Sequence, residues 1–193
     1  MESKKLFDEY YDWSLDKTDI TLENMERIIF GFENSTPDVL PNKIDVFLKN
    51  LHITSILDYG AGLGRNLPML QKYSCDIVDY IDLANYENKF SEYIDSLSYN
   101  NKFYINGVLP DLLDKKYDLI YASVVLQHII DDEITEKIIK ILAEKSKYLV
   151  IVQNCMVPIK KIMNLYYDFV CEETESTTFK GLNHSFIIYK SKL

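Results

Sequence analysis

Between Ile56 and Arg65 the chain reads Ile-Leu-Asp-Tyr-Gly-Ala-Gly-Leu-Gly-Arg, and three of the protein's six glycines alternate there, at Gly60, Gly62 and Gly64. A strand that enters such a loop and leaves it as a helix turns tightly, and without side chains its backbone can approach a ligand closely. The neighbouring residues say which ligand. A dinucleotide fingerprint of the form Gly-x-Gly-x-x-Gly wants glycine at position 65, where Arg65 stands. Asp58 falls two residues before Gly60, where a carboxylate would repel a pyrophosphate but attract a sulfonium or an ammonium. A Gly-Lys-Ser/Thr phosphate loop is missing from the sequence. The charge pattern points to S-adenosylmethionine.

A second acid fits the same ligand. Asp82 closes the run Val78-Asp79-Tyr80-Ile81-Asp82, about twenty residues beyond the glycine loop, where a carboxylate accepts hydrogen bonds from both ribose hydroxyls. Strand alternation puts Asp79 on the opposite face. The plainer alternative is that Asp82 caps the next helix.

These residues need a scaffold that brings strand ends together. After Leu51, short apolar runs alternate with amphipathic stretches, the pattern of a parallel sheet flanked by helices. Strands are expected at Ser55–Tyr59, Ile77–Asp82, Lys102–Asn106, Leu119–Ser123 and Tyr148–Gln153. Helices are expected at Asn66–Tyr73, Tyr86–Leu97, Asp131–Ala143 and Val157–Phe169. Two further strands, Cys171–Thr178 and Ser185–Lys190, have a connection short enough to be antiparallel. The expectation is an α/β fold with a seven-stranded, mostly parallel sheet, an antiparallel C-terminal hairpin and helices on both faces. Residues 1–51 differ in character, with helices expected near Lys5–Trp13, Leu22–Phe32 and Asn42–Leu51. They read as a helical cap or lid on the 52–193 core of a single domain.

The run from Ile56 to Arg65, in this order of elements, resembles motif I of the class I, Rossmann-like S-adenosylmethionine-dependent methyltransferases of the small-molecule type. The resemblance extends over about three quarters of the chain. It implies that Asp58, Gly60, Gly62 and Gly64 lie along the methionine end of the cofactor. The segment Asn106-Gly107-Val108-Leu109-Pro110 resembles the place where the family often has an aspartate for the adenine amino group. Asn106 departs from that pattern but keeps an acceptor oxygen, and Asp111 is the nearest alternative. Tyr117 to Ile129 resembles motif IV and the segment after it, which implies that Ala122 and Ser123 pass beside the methionine moiety. His128 could then act as general base for a methyl acceptor, or simply pack at the loop's base. Transfer needs no base when alignment suffices. The aromatic run Phe7 to Trp13 resembles the family's tyrosine-rich opening, and Tyr11 could fold over the cofactor, where a ring face attracts a sulfonium. It could equally dock on the core.

The net charge of −9, without a long basic stretch, disfavours nucleic acid and anionic membranes. The fourth strand is followed by no Asn/Asp-Pro-Pro-Tyr/Phe signature. No apolar run approaches the roughly 20 residues of a membrane span. Cys75, Cys155 and Cys171 show neither metal-ligand nor disulfide spacing, and no metal is expected. The reading is a cytoplasmic methyltransferase acting on oxygen or nitrogen of a small molecule. A non-catalytic S-adenosylmethionine-binding or scaffold protein of the same fold is the alternative. The acceptor and the oligomeric state are not encoded in any motif.

Overall fold

The structure is a computed structural model, and it describes residues 38–61, 66–74, 77–82, 103–105, 115–126, 132–154, 159–176 and 183–193. In chain order the elements are α1 (Asn42–Lys49), β1 (Ser55–Tyr59), α2 (Leu67–Leu70), β2 (Ile77–Asp82), β3 (Phe103–Ile105), β4 (Tyr117–Ser123), α3 (Asp132–Lys145), β5 (Ser146–Asn154), α4 (Lys160–Tyr166), β6 (Tyr167–Ser176) and β7 (Asn183–Ser191). The helices expected near Lys5–Trp13, Leu22–Phe32 and Tyr86–Leu97 lie outside the described residues.

The strands form one seven-stranded sheet in the order β3-β2-β1-β4-β5-β7-β6. β1 pairs in parallel with β2 on one side and β4 on the other, with Asp58 opposite Tyr80 and Tyr121. β2 pairs in parallel with β3, and β4 with β5. β7 runs antiparallel between β5 and β6. From β1 the chain first builds outward through β2 and β3, then returns to lay β4 on β1's other edge. The strand order thus reverses between β1 and β4, and beyond the carboxyl ends of strands at such a reversal open α/β sheets bind their ligands.

Alternation distributes the central strands between two apolar layers. Leu57, Ile120, Leu149 and Ile151 face a layer built with Ile138, Ile139 and Leu142 of α3 and Met163 of α4. Ile56, Leu119, Val150 and Val152 face Ile44 and Leu48 of α1 and Leu67 and Leu70 of α2. Each such side chain contributes about 1.5–3 kcal/mol when fully buried. Burial on both faces is why β1 and β4 read as nearly unbroken apolar runs.

The C-terminal half departs from the sequence expectation in one instructive way. α4 stops at Tyr166, and β6 starts at Tyr167 rather than Cys171. Tyr167-Asp168-Phe169 pairs with Ser191-Lys190-Tyr189, and an irregularity between Phe169 and Cys171 follows. That bulge moves Cys171 to the opposite face from Tyr167, into the α1 layer. An apolar run interrupted in this way mimics helical spacing, so periodicity alone misassigned it. α2 is likewise shorter than expected, ending at Leu70 in a turn.

Two charged contacts tie β4 and the residues before it to β1 and β2. Asp118 accepts bonds from Thr54 N–H at 2.9 Å and Thr54 Oγ1 at 2.8 Å, clasping the start of β1 to β4. Burial pushes its carboxyl up, but the Thr54 and Ser55 bonds outweigh that and hold it below the usual value. Its stabilisation is therefore present above the ordinary carboxylate range and lost as pH falls through the lowered value.

Asp79, fully buried, accepts from Tyr117 Oη at 2.8 Å and pairs with Lys115, whose ammonium also lies 5.2 Å from the Tyr117 ring centre. Replacing Lys115 by Ala leaves the Asp79 charge buried beside the tyrosine. Because Lys115 is about one-third exposed, the cost should be about 1–3 kcal/mol rather than the larger penalty of a wholly buried pair. Urea unfolding should show it as a lower midpoint with an unchanged slope. An unchanged midpoint would mean that the pair contributes nothing.

Candidate functional site

β1 ends at Tyr59, and Gly60 turns the chain with φ +72°. A β-carbon placed on Gly60 would lie 2.1 Å from Val125 Cγ2. Glycine is thus required twice, by the left-handed backbone and by a side chain that occupies the space beside it. At this position protein packing alone already demands glycine.

β4 arrives beside that turn and ends at Ser123. Val124 then adopts φ +59° and donates its N–H to the Val152 carbonyl of β5 at 2.7 Å. A β-branched residue in the left-handed region is strained by about 1–2 kcal/mol, and such strain persists where surrounding structure over-determines it. Here the Val152 bond holds one side, and the next residue, Val125, sits on Gly60.

On the α1 face of the same sheet edge lies a group of polar residues. Asp58 is 1% exposed and stands between Tyr80 and Tyr121 in the strand register. Tyr121 Oη donates to Asp38 Oδ2 at 2.8 Å, and Ser123 Oγ donates to the same oxygen at 2.7 Å. The Asp38 N–H donates to Asn66 Oδ1 at 3.0 Å. Asn66 is buried and leads into α2 directly after the glycine loop. Asp38 therefore joins three segments: the approach to α1, the end of β4 and the exit of the glycine loop.

The structure brings Asp58, Gly60 and Ser123 of the expected site to one end of β1 and β4. Ala122 is there too, but its methyl is buried in the opposite layer with Leu126 and Ile138, so its backbone is what it offers to a ligand. Asp82 ends β2 and pairs with Ile105 at the end of β3, on the same edge of the sheet. Asp79 is committed to Lys115 and Tyr117 instead. Gly62, Gly64, Asn106, His128 and Tyr11 lie outside the described residues. His184 is placed opposite Asn154, at the carboxyl end of β5.

Asp38, Tyr121, Asn66 and Val125 were not expected from the sequence. Asp38 is 85 residues from Ser123 in the chain, and no spacing rule connects an acid after Pro37 with the end of a distant strand. Among the described residues, no group of three or more His, Cys, Asp or Glu is arranged to hold a metal ion. No helix there is long and apolar enough to cross a membrane.

No protein-family model matches the sequence, and no curated protein matches it significantly. Solved structures do match the fold. The N-methyltransferase NodS from Bradyrhizobium japonicum WM9, in complex with S-adenosyl-L-homocysteine, superposes with a TM-score of 0.64 at 14% identity, covering 91% of this chain and 100% of that one. Magnesium protoporphyrin IX methyltransferase (ChlM) from Synechocystis PCC 6803, with bound S-adenosylmethionine, gives a TM-score of 0.63 at 19% identity over 99% and 98% of the chains. The PH0226 protein from Pyrococcus horikoshii OT3 gives 0.65 at 16% identity over 95% and 99%. The chain has the fold of these proteins.

Gly60→Ala tests the packing at the turn. The left-handed backbone and the Val125 overlap together should cost about 2–4 kcal/mol. Adding Val125→Ala should restore about 1–2 kcal/mol of it by removing the overlap. Thermal or urea unfolding of both variants is the measurement, and strict additivity of the two changes would contradict the contact.

Proposed function

We propose that this chain is an S-adenosylmethionine-dependent methyltransferase that transfers a methyl group to an oxygen or nitrogen of a small molecule. The observation that carries the reading is the reversal of strand order between β1 and β4. There a glycine turn, the acid Asp58 and the hydroxyl of Ser123 meet at one end of β1 and β4. The chemistry of the group suits this ligand: carboxylates at 38 and 58 favour a cationic moiety and oppose a pyrophosphate. The neighbours of the same fold that are methyltransferases with S-adenosylmethionine or S-adenosylhomocysteine bound support it as well.

In this reading the backbone at Gly60 and through Gly62 and Gly64 follows the methionine end of the cofactor, with Asp58 setting the local negative field. Asp82 accepts from the ribose hydroxyls, and Asn106 from the adenine amino group. The Ala122 backbone and Ser123 border the methionine, and Tyr11 covers the cofactor. Bound there, the cofactor supplies a methyl group already activated by its sulfonium. The protein's share is alignment of the nucleophile with methyl and sulfur, plus exclusion of water. His128 takes the acceptor's proton where one must leave.

Calorimetric titration separates this reading from its rivals. The chain should bind S-adenosylmethionine saturably and ignore nicotinamide and flavin dinucleotides, and the reverse pattern would overturn the assignment. Asp82→Ala should weaken cofactor binding by about tenfold or more, as loss of a charged acceptor for two hydroxyls requires. With labelled cofactor and a metabolite pool, label should pass to a small molecule. Binding without any transfer would instead favour a non-catalytic cofactor-binding protein.

A further inference from the structure

Asp38 belongs to no motif, yet it bonds the end of β4 twice and the exit of the glycine loop once. The direction of those bonds matters. A serine hydroxyl has one proton and two lone pairs, and a tyrosine hydroxyl likewise has a single proton. Both Ser123 and Tyr121 direct that proton to Asp38 Oδ2. The hydroxyl of Ser123 can then meet a further group only as an acceptor. Bonds to a carboxylate are charge-assisted, which fixes this orientation more firmly than a neutral partner would. Ser123 is partly exposed, whereas Tyr121 is fully buried, so Ser123 is the member that a ligand can reach. The Asn66 amide oxygen receives the Asp38 N–H and holds the acid in place from the other side.

We propose that Asp38 is a positioning residue for methyl transfer, which orients the Ser123 hydroxyl so that it accepts a hydrogen bond from the ammonium of the cofactor's methionine moiety. The assignment rests on the cofactor reading above. It adds a residue from the approach to α1 to the binding machinery, and it makes the polarity of Ser123 a consequence of a distant acid. An acid at 38 also adds negative charge at the carboxyl end of β4, which favours the methionine amine there.

The test compares S-adenosylhomocysteine with its analogue lacking the α-amino group, by calorimetry, on the wild-type chain and on Asp38→Ala, Asp38→Asn and Ser123→Ala. Asp38→Ala and Ser123→Ala should each weaken S-adenosylhomocysteine by about tenfold, while the deaminated analogue changes by less than about twofold. Asp38→Asn keeps an acceptor oxygen but loses the charge, and it should fall between wild type and alanine. Equal weakening of both ligands would show a purely structural role and overturn the proposal, as would unchanged affinity for both. If Asp38→Ala does not fold, Ser123→Ala and Asp38→Asn carry the same comparison. A wild-type chain that binds neither ligand would refute the cofactor reading itself, an outcome separate from binding that is indifferent to Asp38.

Discussion

How closely the chain at Gly60 passes Val125 governs the carboxyl end of the sheet. β1 and β4 are neighbours in register, so the loops that follow them must share one small space. The sequence resolves the conflict with a glycine on one loop and a strained Val124 on the other. Val124 turns left-handed, bonds to β5 and delivers Val125 onto the glycine. Any side chain at 60, or a relaxed backbone at 124, would move the two loops relative to each other. Ser123 and Asp58 would move with them. Strain at such a position is what a site that must hold its geometry before a ligand arrives can tolerate.

The polar groups at this edge follow from the same arrangement. In-register parallel pairing places Asp58 on the same face as Tyr80 and Tyr121, so the acid has phenol-bearing side chains on both sides. Asp38 then draws Tyr121 and Ser123 toward the approach to α1, whose Ile44 and Leu48 are buried in the layer beneath. The segment before the sheet is thereby connected to the carboxyl end of β4 by hydrogen bonds as well as by apolar burial. At the opposite edge, Asp118 clasps the starts of β1 and β4 through Thr54. The two strands that carry the site are fixed at both ends.

Much of the scaffold was legible in the sequence. β1 and β2 have the expected limits, because each is a short apolar run bounded by turn-forming residues. The parallel core and its antiparallel terminal pair followed from connection lengths. The segment from Tyr167 to Val170 was not legible, because a bulge interrupts the alternation that identifies strands. For the candidate site, the glycine loop and Asp82 could be singled out because their spacing is local to consecutive elements. The reason for glycine at 60 could not, since Val125 is reached only through the sheet. Nor could Asp38, whose partners are set by tertiary contact alone. Sequence reading chose Asp82 over Asp79 because it closes the strand about twenty residues past the glycine loop; Asp79 is committed to Lys115 and Tyr117.

A crystal structure of the chain with S-adenosylhomocysteine would show directly whether the ligand lies at the carboxyl ends of β1 and β4. The ribose is expected against the Asp82 carboxylate and the homocysteine end over the Gly60 turn, with its amine within hydrogen-bond distance of Ser123. Ligand density elsewhere on the molecule, or a homocysteine end directed away from the ends of β1 and β4, would contradict it.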